Sequence, residues 1–237
     1  MKIIYGFLTT LLIIFGIEGT VLGQDVSGNL SFMTSGASPI PSFGIEEPAF
    51  YGDISVDYGK VIVVTDMAFT YEGHIWFSDI WLKYKPIQNL SLGVDYSTFG
   101  QNYSDKLNGD LVRESTRYLA FEVYGETSTE IEKMEIDQSF KYWYSHGMGD
   151  RTLNGHFLMT TTSLQNLFKI NSVGISISNS IFYIDFTGDN DGLFISPSIS
   201  ASHNSLPFSL TFQAVPPIIS NIPSVETQFS LITTYSF

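Results

Sequence analysis

The chain ends Phe229-Ser230-Leu231-Ile232-Thr233-Thr234-Tyr235-Ser236-Phe237. Phe229, Leu231, Thr233, Tyr235 and Phe237 stand at every second position, and the residues between them are polar but for Ile232. A period of two sends successive side chains to opposite faces of a strand, so this segment has one apolar, aromatic-ended face and one polar face. The same period runs through the chain after residue 24, and no stretch carries the 3.6-residue period of a helix. The alternating runs are about 9–12 residues long, the length a tilted strand needs to cross a bilayer. Gly, Asn, Asp and Pro clusters separate them. Twelve strands are read: 26–35, 49–58, 60–71, 74–85, 88–99, 116–125, 131–144, 152–163, 171–186, 193–203, 208–215 and 224–237.

An alternating strand that stops on an aromatic residue resembles the C-terminal signal of bacterial outer-membrane β-barrels. The likeness rests on Phe229, Leu231, Tyr235 and Phe237. It implies that the barrel insertion machinery reads these residues, and that outer-membrane lipid surrounds the folded chain. It also implies an all-β, antiparallel transmembrane barrel with an even strand number and both ends in the periplasm. Twelve strands fit the runs, with ten as the fallback, and no subfamily is identified.

Connection lengths test this independently, because such barrels have short periplasmic turns and longer external loops. Counting back from Phe237 puts 205–206, 165–169, 125–129, 86–87 and Gly59 in the periplasm. It puts 215–223, 187–192, 145–151, 100–115 and 36–48 outside, with Glu72-Gly73 as the one short external turn. A secreted β-sandwich also alternates, but it gives no reason for a terminal aromatic or for loops that alternate long and short.

Residues 1–23 read as a signal peptide: Lys2 supplies a positive start, 3–17 an apolar run, and Val21-Leu22-Gly23 a cleavage site. The run is short of the ~20 residues a spanning helix needs. Residues 24–237 then form a single barrel domain. The chain has no cysteine, which removes disulfides, thiolate metal sites and a lipid-attached N-terminus together. Its net charge of −13 leaves no basic stripe for nucleic acid. Charged residues make up 15% of the chain, against roughly 25% in ordinary soluble domains. Such a surface suits surroundings other than water.

Facing follows from parity. Val61, Val63, Met67, Phe69 and Tyr71 point outward, as do Leu90, Leu92, Val94 and Tyr96, Met134, Ile136, Phe140 and Tyr142, and Ile195, Ile199 and Ala201. Tyr58, Tyr84, Phe208, Tyr235 and Phe237 form one interfacial girdle, and Phe50, Tyr71, Trp76 and Tyr144 the other. Asp53, Asp57, Asp66, Asp79, Asp95, Glu122, Glu135, Asp137 and Glu226 face the lumen with Lys83, Lys133 and Lys141. The later strands contribute Ser, Thr and Gln. This lopsided lumen suits a pore that prefers cations, a pocket for a polar ligand, or a wall crossed by ion pairs.

Catalytic and metal motifs are weak. In Asp185 to Gly192 no frame has the carboxylate and glycine spacing of a calcium loop. His203-Asn204-Ser205 faintly resembles the His-x-Ser of outer-membrane phospholipases, but it falls at a periplasmic turn. His74, His146 and His156 have no ligand spacing and read as surface residues. Tyr103, Lys106, Arg113 and Glu114 lie on the 100–115 loop, which reads as a mobile surface loop, with a cap or partner surface as the alternative. The expectation is a small channel or passive transporter for polar or cationic solutes, without enzymatic activity, metal or cofactor. The alternative is a closed structural or adhesive barrel acting through its external loops. A lipid hydrolase lacks a nucleophile and base, and sequence does not give the oligomeric state.

Overall fold

Alternating β-branched and aromatic residues, with no helix-period face, leave cross-strand pairing to satisfy the backbone. The computed structural model describes residues 25–35, 47–104, 111–131, 134–149, 154–187, 190–222 and 225–237, none of them helical. The segment 1–23 therefore lies outside the described residues. Among the described residues thirteen strands form one sheet. They are β1 (Asp25–Met33), β2 (Ala49–Asp57), β3 (Val61–Thr70), β4 (Ile75–Ile87), β5 (Leu90–Ser104), β6 (Leu111–Ile131), β7 (Met134–Gly147), β8 (Gly155–Ile170), β9 (Val173–Phe186), β10 (Asn190–His203), β11 (Phe208–Val215), β12 (Pro217–Ser220) and β13 (Gln228–Ser236).

The sheet closes where β13 pairs antiparallel with β1, Leu30 opposite Tyr235 and Phe32 opposite Thr233. β11 and β12 both pair with β10 and are two halves of one wall position. Pro216 separates them because it has no N–H to give, while its carbonyl accepts from Ile195 N at 3.3 Å. The wall thus has the twelve positions expected. The β13–β1 pairing closes the wall on itself, as a bilayer requires, and among the described residues the short β12 alone pairs on one side only.

Several strand ends differ from the reading by alternation. Residues 125–129 and 165–169, expected as turns, lie inside β6 and β8. Their polar side chains cost nothing where a strand outruns the hydrocarbon and stands in water. The β8 stretch has turn-like backbone, with Asn166 at φ 51° and a register slip between Leu164 and Phe168, but it is a bulge. The reversal follows at Asn171, φ 56°. Pro86 and Ile87 end β4, beyond a slip after Tyr84 that absorbs the missing proline donor. At the opposite end β5 and β6 stay paired from Gly100–Ser115 out to Ser104–Leu111, so 100–115 is largely an extended hairpin. Lys106 lies outside the described residues. β13 starts at Gln228, leaving Glu226 exposed before the strand rather than inward.

The outer face carries Ile80, Leu82, Leu92, Val94, Phe121, Ile181, Phe212 and Phe229, all exposed. A soluble protein would have to cover so large a patch, whereas hydrocarbon covers it around a barrel. Tyr58, Tyr84 and Phe208 flank this belt at the end bearing β1's start and β13's finish, and Phe50 and Tyr71 flank it at the loop end. Trp76 is a correction. A bulge between Ala68 and Phe69 shifts the parity of β4, and Trp76 packs inward on Ala49 and Ala68. Phe237 continues the closing ladder, exchanging two 3.1 Å backbone bonds with Gly28. Its ring covers that glycine, where a Cβ would sit 2.5 Å from Cζ.

Candidate functional site: the barrel lumen

Inward positions divide the lumen into layers. At the loop end the layer is apolar. Phe157 on β8, Phe182, Ile184 and Phe186 on β9, Phe194 on β10 and Val215 on β11 form one buried cluster, with Trp143 and Met159 against it. Phe182 and Phe194 stack with ring centroids 5.2 Å apart and planes at 11°. On the other arc Met33, Tyr51 and Phe77 pack around Trp76. Phe77, Phe99 and Tyr118 then follow ring to ring at 5.8 and 5.7 Å. Phe182 is 1% exposed and Phe194 0%, so side chains pack this arc of the lumen closely.

The middle layer is charged on one arc. Asp53 of β2 lies directly opposite Asp66 of β3, which lies directly opposite Asp79 of β4. Like charges so placed repel. Asp79 in turn faces Ser97 of β5, whose Oγ donates to Asp95 Oδ2. Asn29 Nδ2 donates to both oxygens of Asp53, at 3.2 and 3.1 Å. Glu122 of β6, almost fully buried, takes Lys83 Nζ at 2.7 Å and Lys141 Nζ at 3.1 Å. Lys83 also lies 4.8 Å over the Trp81 ring. The other arc is neutral: Thr161 with Ser180, Ser163 with Ser178, Gln213 with Ser196 and Ser31 with Thr234, each pair at 2.8 Å.

Toward the terminal end the wall of β6 to β8 opens into two polar recesses. One of about 390 Å³ is lined by Asn89, Tyr124, Glu126, Asp137, Ser139 and Thr161 among others. Another of about 470 Å³ is lined by Ser128, Glu130, Glu135, Gln165, Asn166 and Lys169. Gln165 donates to Asp137 at 3.1 Å.

Alternation therefore brings Asp66, Asp79, Lys83, Asp95, Glu122 and Lys141 into one middle layer, with Asp53 beside them. Asp137 and Glu135 lie apart, at the recesses. Lys133 lies outside the described residues. Asp57 sits at the β2–β3 turn, accepting Gly59 N–H at 2.6 Å and Lys85 Nζ at 3.1 Å. The aromatic layer is what strand patterning missed. Its signal was present in Ile181-Phe182-Tyr183-Ile184, apolar on both faces, which means a strand covered by lipid outside and by packing within.

The histidines make local contacts. Ser205 Oγ lies 3.1 Å from His203 Nδ1, in an exposed turn where Ser205 N–H donates to the same nitrogen at 3.3 Å. Tyr142 OH meets His156 Nδ1 at 2.8 Å on the outer face.

The closed barrel is also a fold that solved structures share with this chain. The KdgM porin matches over 89% of this chain and 99% of its own, at 10% identity and TM-score 0.52. This chain has the bacterial outer-membrane β-barrel fold. LpxR from Salmonella typhimurium matches over 89% of this chain and 99% of its own, at 11% identity and TM-score 0.53. No family profile and no curated protein matches. At such identities the likeness shows the fold. It also corrects one expectation: LpxR is an outer-membrane enzyme on the same barrel, so the reading of this chain as a non-enzyme is withdrawn.

Proposed function

We propose that the protein is a small passive transporter of the bacterial outer membrane for cationic polar solutes, closed at rest at its external end. In this reading residues 1–23 are removed on export, and Phe229, Leu231, Tyr235 and Phe237 guide insertion. The arc of Asp53, Asp66, Asp79 and Asp95 supports it. Ionisable groups at membrane depth are costly and mark solute paths. The barrel does not need them for closure, since β8 to β11 line the same depth with serine and threonine. Both lysines of the layer already serve Glu122, so the aspartates leave the lumen negative and favour cations from the terminal end. An acidic chain, such as the oligogalacturonate bound in one KdgM porin structure, would be repelled by this arc.

Planar-bilayer recording of the full chain tests the proposal. Wild type should conduct little. Joint Phe99→Ala and Phe182→Ala should open the aromatic layer and give a cation-selective current. Adding Asp66→Asn and Asp95→Asn should move the reversal potential toward the non-selective value. An anion-selective current, or silence after the layer is removed, would refute transport.

A second reading, a permanently sealed barrel acting through its external loops, is favoured by the full burial of Ile184 and Phe194. It predicts silence in both proteins.

A further inference from the structure

Three lumen oxygens have no hydrogen-bond partner among the described residues: Asp66 Oδ1, Asp79 Oδ1 and Asp95 Oδ1. Asp95 is the most telling, because it is 2% exposed and its other oxygen is taken by Ser97. An unmade bond to a buried charged group is expensive. The donors nearby are committed elsewhere. Asn29 serves Asp53, and Lys83 and Lys141 serve Glu122. The layer therefore holds acceptors in excess, on adjacent strands.

We infer that Asp66, Asp79 and Asp95 form a binding site for an organic cation, an ammonium or guanidinium head carried on an apolar body. The inference rests on the lumen being a cation path and names the solute class. N–H donors suit the lone oxygens, since an ammonium offers three. The apolar body is indicated by what borders the carboxylates. Phe77 is the next inward residue above Asp79, and Phe99 is the next above Ser97. Their rings lie 5.8 Å apart, with Tyr51 6.0 Å from Phe77. Carboxylates below and aromatic rings above match a charged head with a hydrocarbon tail, and an aromatic ring can attract a cation as well. Lys83 against Trp81 shows the same pairing within the wall. A bare metal ion would gain little from such a shelf, and among the described residues no three acidic or histidine side chains are placed to hold one.

Calorimetric titration of the detergent-folded full chain with phenethylammonium chloride tests this, with phenylacetate, potassium and calcium as comparison ligands. Saturable binding of phenethylammonium is expected, with none of phenylacetate. Asp79→Asn and Asp95→Asn should each weaken it about tenfold or more, the worth of one charge-assisted hydrogen bond. Asp57→Asn, at the turn, should leave it unchanged. Phe77→Leu should weaken phenethylammonium more than methylammonium. Variants are scored only if they keep heat-modifiable migration, and the comparison of ligands on wild type needs no variant. Absence of saturation, equal binding of phenylacetate, or tighter binding of calcium at the same carboxylates would overturn the site. Binding with no current from the opened barrel would sink transport and keep the site, whereas current without binding would do the reverse.

Discussion

Neutralising Glu122 should be among the most damaging single changes in the lumen. Its side chain is 1% exposed and accepts Lys83 at 2.7 Å and Lys141 at 3.1 Å, from lysines 20% and 30% exposed. Glu122→Gln keeps the shape and one acceptor oxygen, but it leaves two ammonium groups facing a neutral amide. A charge-assisted bond is worth about 1.5–3 kcal/mol, and breaking a buried pair costs about 3–5 kcal/mol. The lysines are partly wet and can swing toward the terminal end, which favours the lower figure, about 3 kcal/mol. Lys83→Met should cost less, about 1–2 kcal/mol, because Lys141 still partners Glu122. Urea unfolding in detergent, followed by tryptophan fluorescence, measures both. The triple change Glu122→Leu, Lys83→Met, Lys141→Met should recover to within about 1 kcal/mol of wild type, since an apolar replacement of a buried ion network is often neutral. A Glu122→Gln loss below about 0.5 kcal/mol would mean that the bridges carry nothing. A triple variant no better than the single one would place the cost in packing instead.

Two further outcomes concern the seam and the turn. Gly28→Ala should destabilise by about 1–3 kcal/mol, because the new Cβ would meet Asp53 O and Phe237 Cζ, both at 2.5 Å. Adding Phe237→Ala in that background should recover only the share due to the ring, and full recovery in the urea midpoint would refute the backbone clash. Asp57, at the β2–β3 turn outside the hydrocarbon, is held below its ordinary value of 3.8 by Gly59 N–H and then by Lys85. A lowered carboxylate stabilises above its unfolded value and loses that contribution as pH falls through the folded one. Wild type should therefore exceed Asp57→Asn in urea midpoint at neutral pH, and the gap should close below pH 3.8. A gap that persists in acid would rule out the ionised carboxylate as its source.

Most of the wall was legible because it is local. Strand 60–71 places Asp66 inward with no knowledge of its neighbours, and the same parity places Asp79, Asp95, Glu122 and Lys141. Legibility ended where the backbone leaves its period. The bulge at Ala68–Phe69 turned Trp76 from the girdle into the lumen, and nothing in Gly73-His74-Ile75-Trp76 announces it. The stretches 125–129 and 165–169 resemble turns for another reason: a strand standing in water and a turn have similar composition. Phe182, Ile184 and Phe186 were visible by parity, but an apolar residue facing a lumen is a packing statement only once its neighbours across the barrel are known.

By itself the sequence carried the strand spans and the inward placement of the acidic residues, since both follow from the side-chain period, and it left the strand number between twelve and ten. Tertiary structure alone decided which charges meet. Register set Asp53, Asp66 and Asp79 side by side and carried Lys83 and Lys141, 58 positions apart in sequence, to the same carboxylate. Register also stacked Phe182 on Phe194 at the loop end. Pairing across a barrel depends on stagger between distant strands, and no local pattern encodes that stagger.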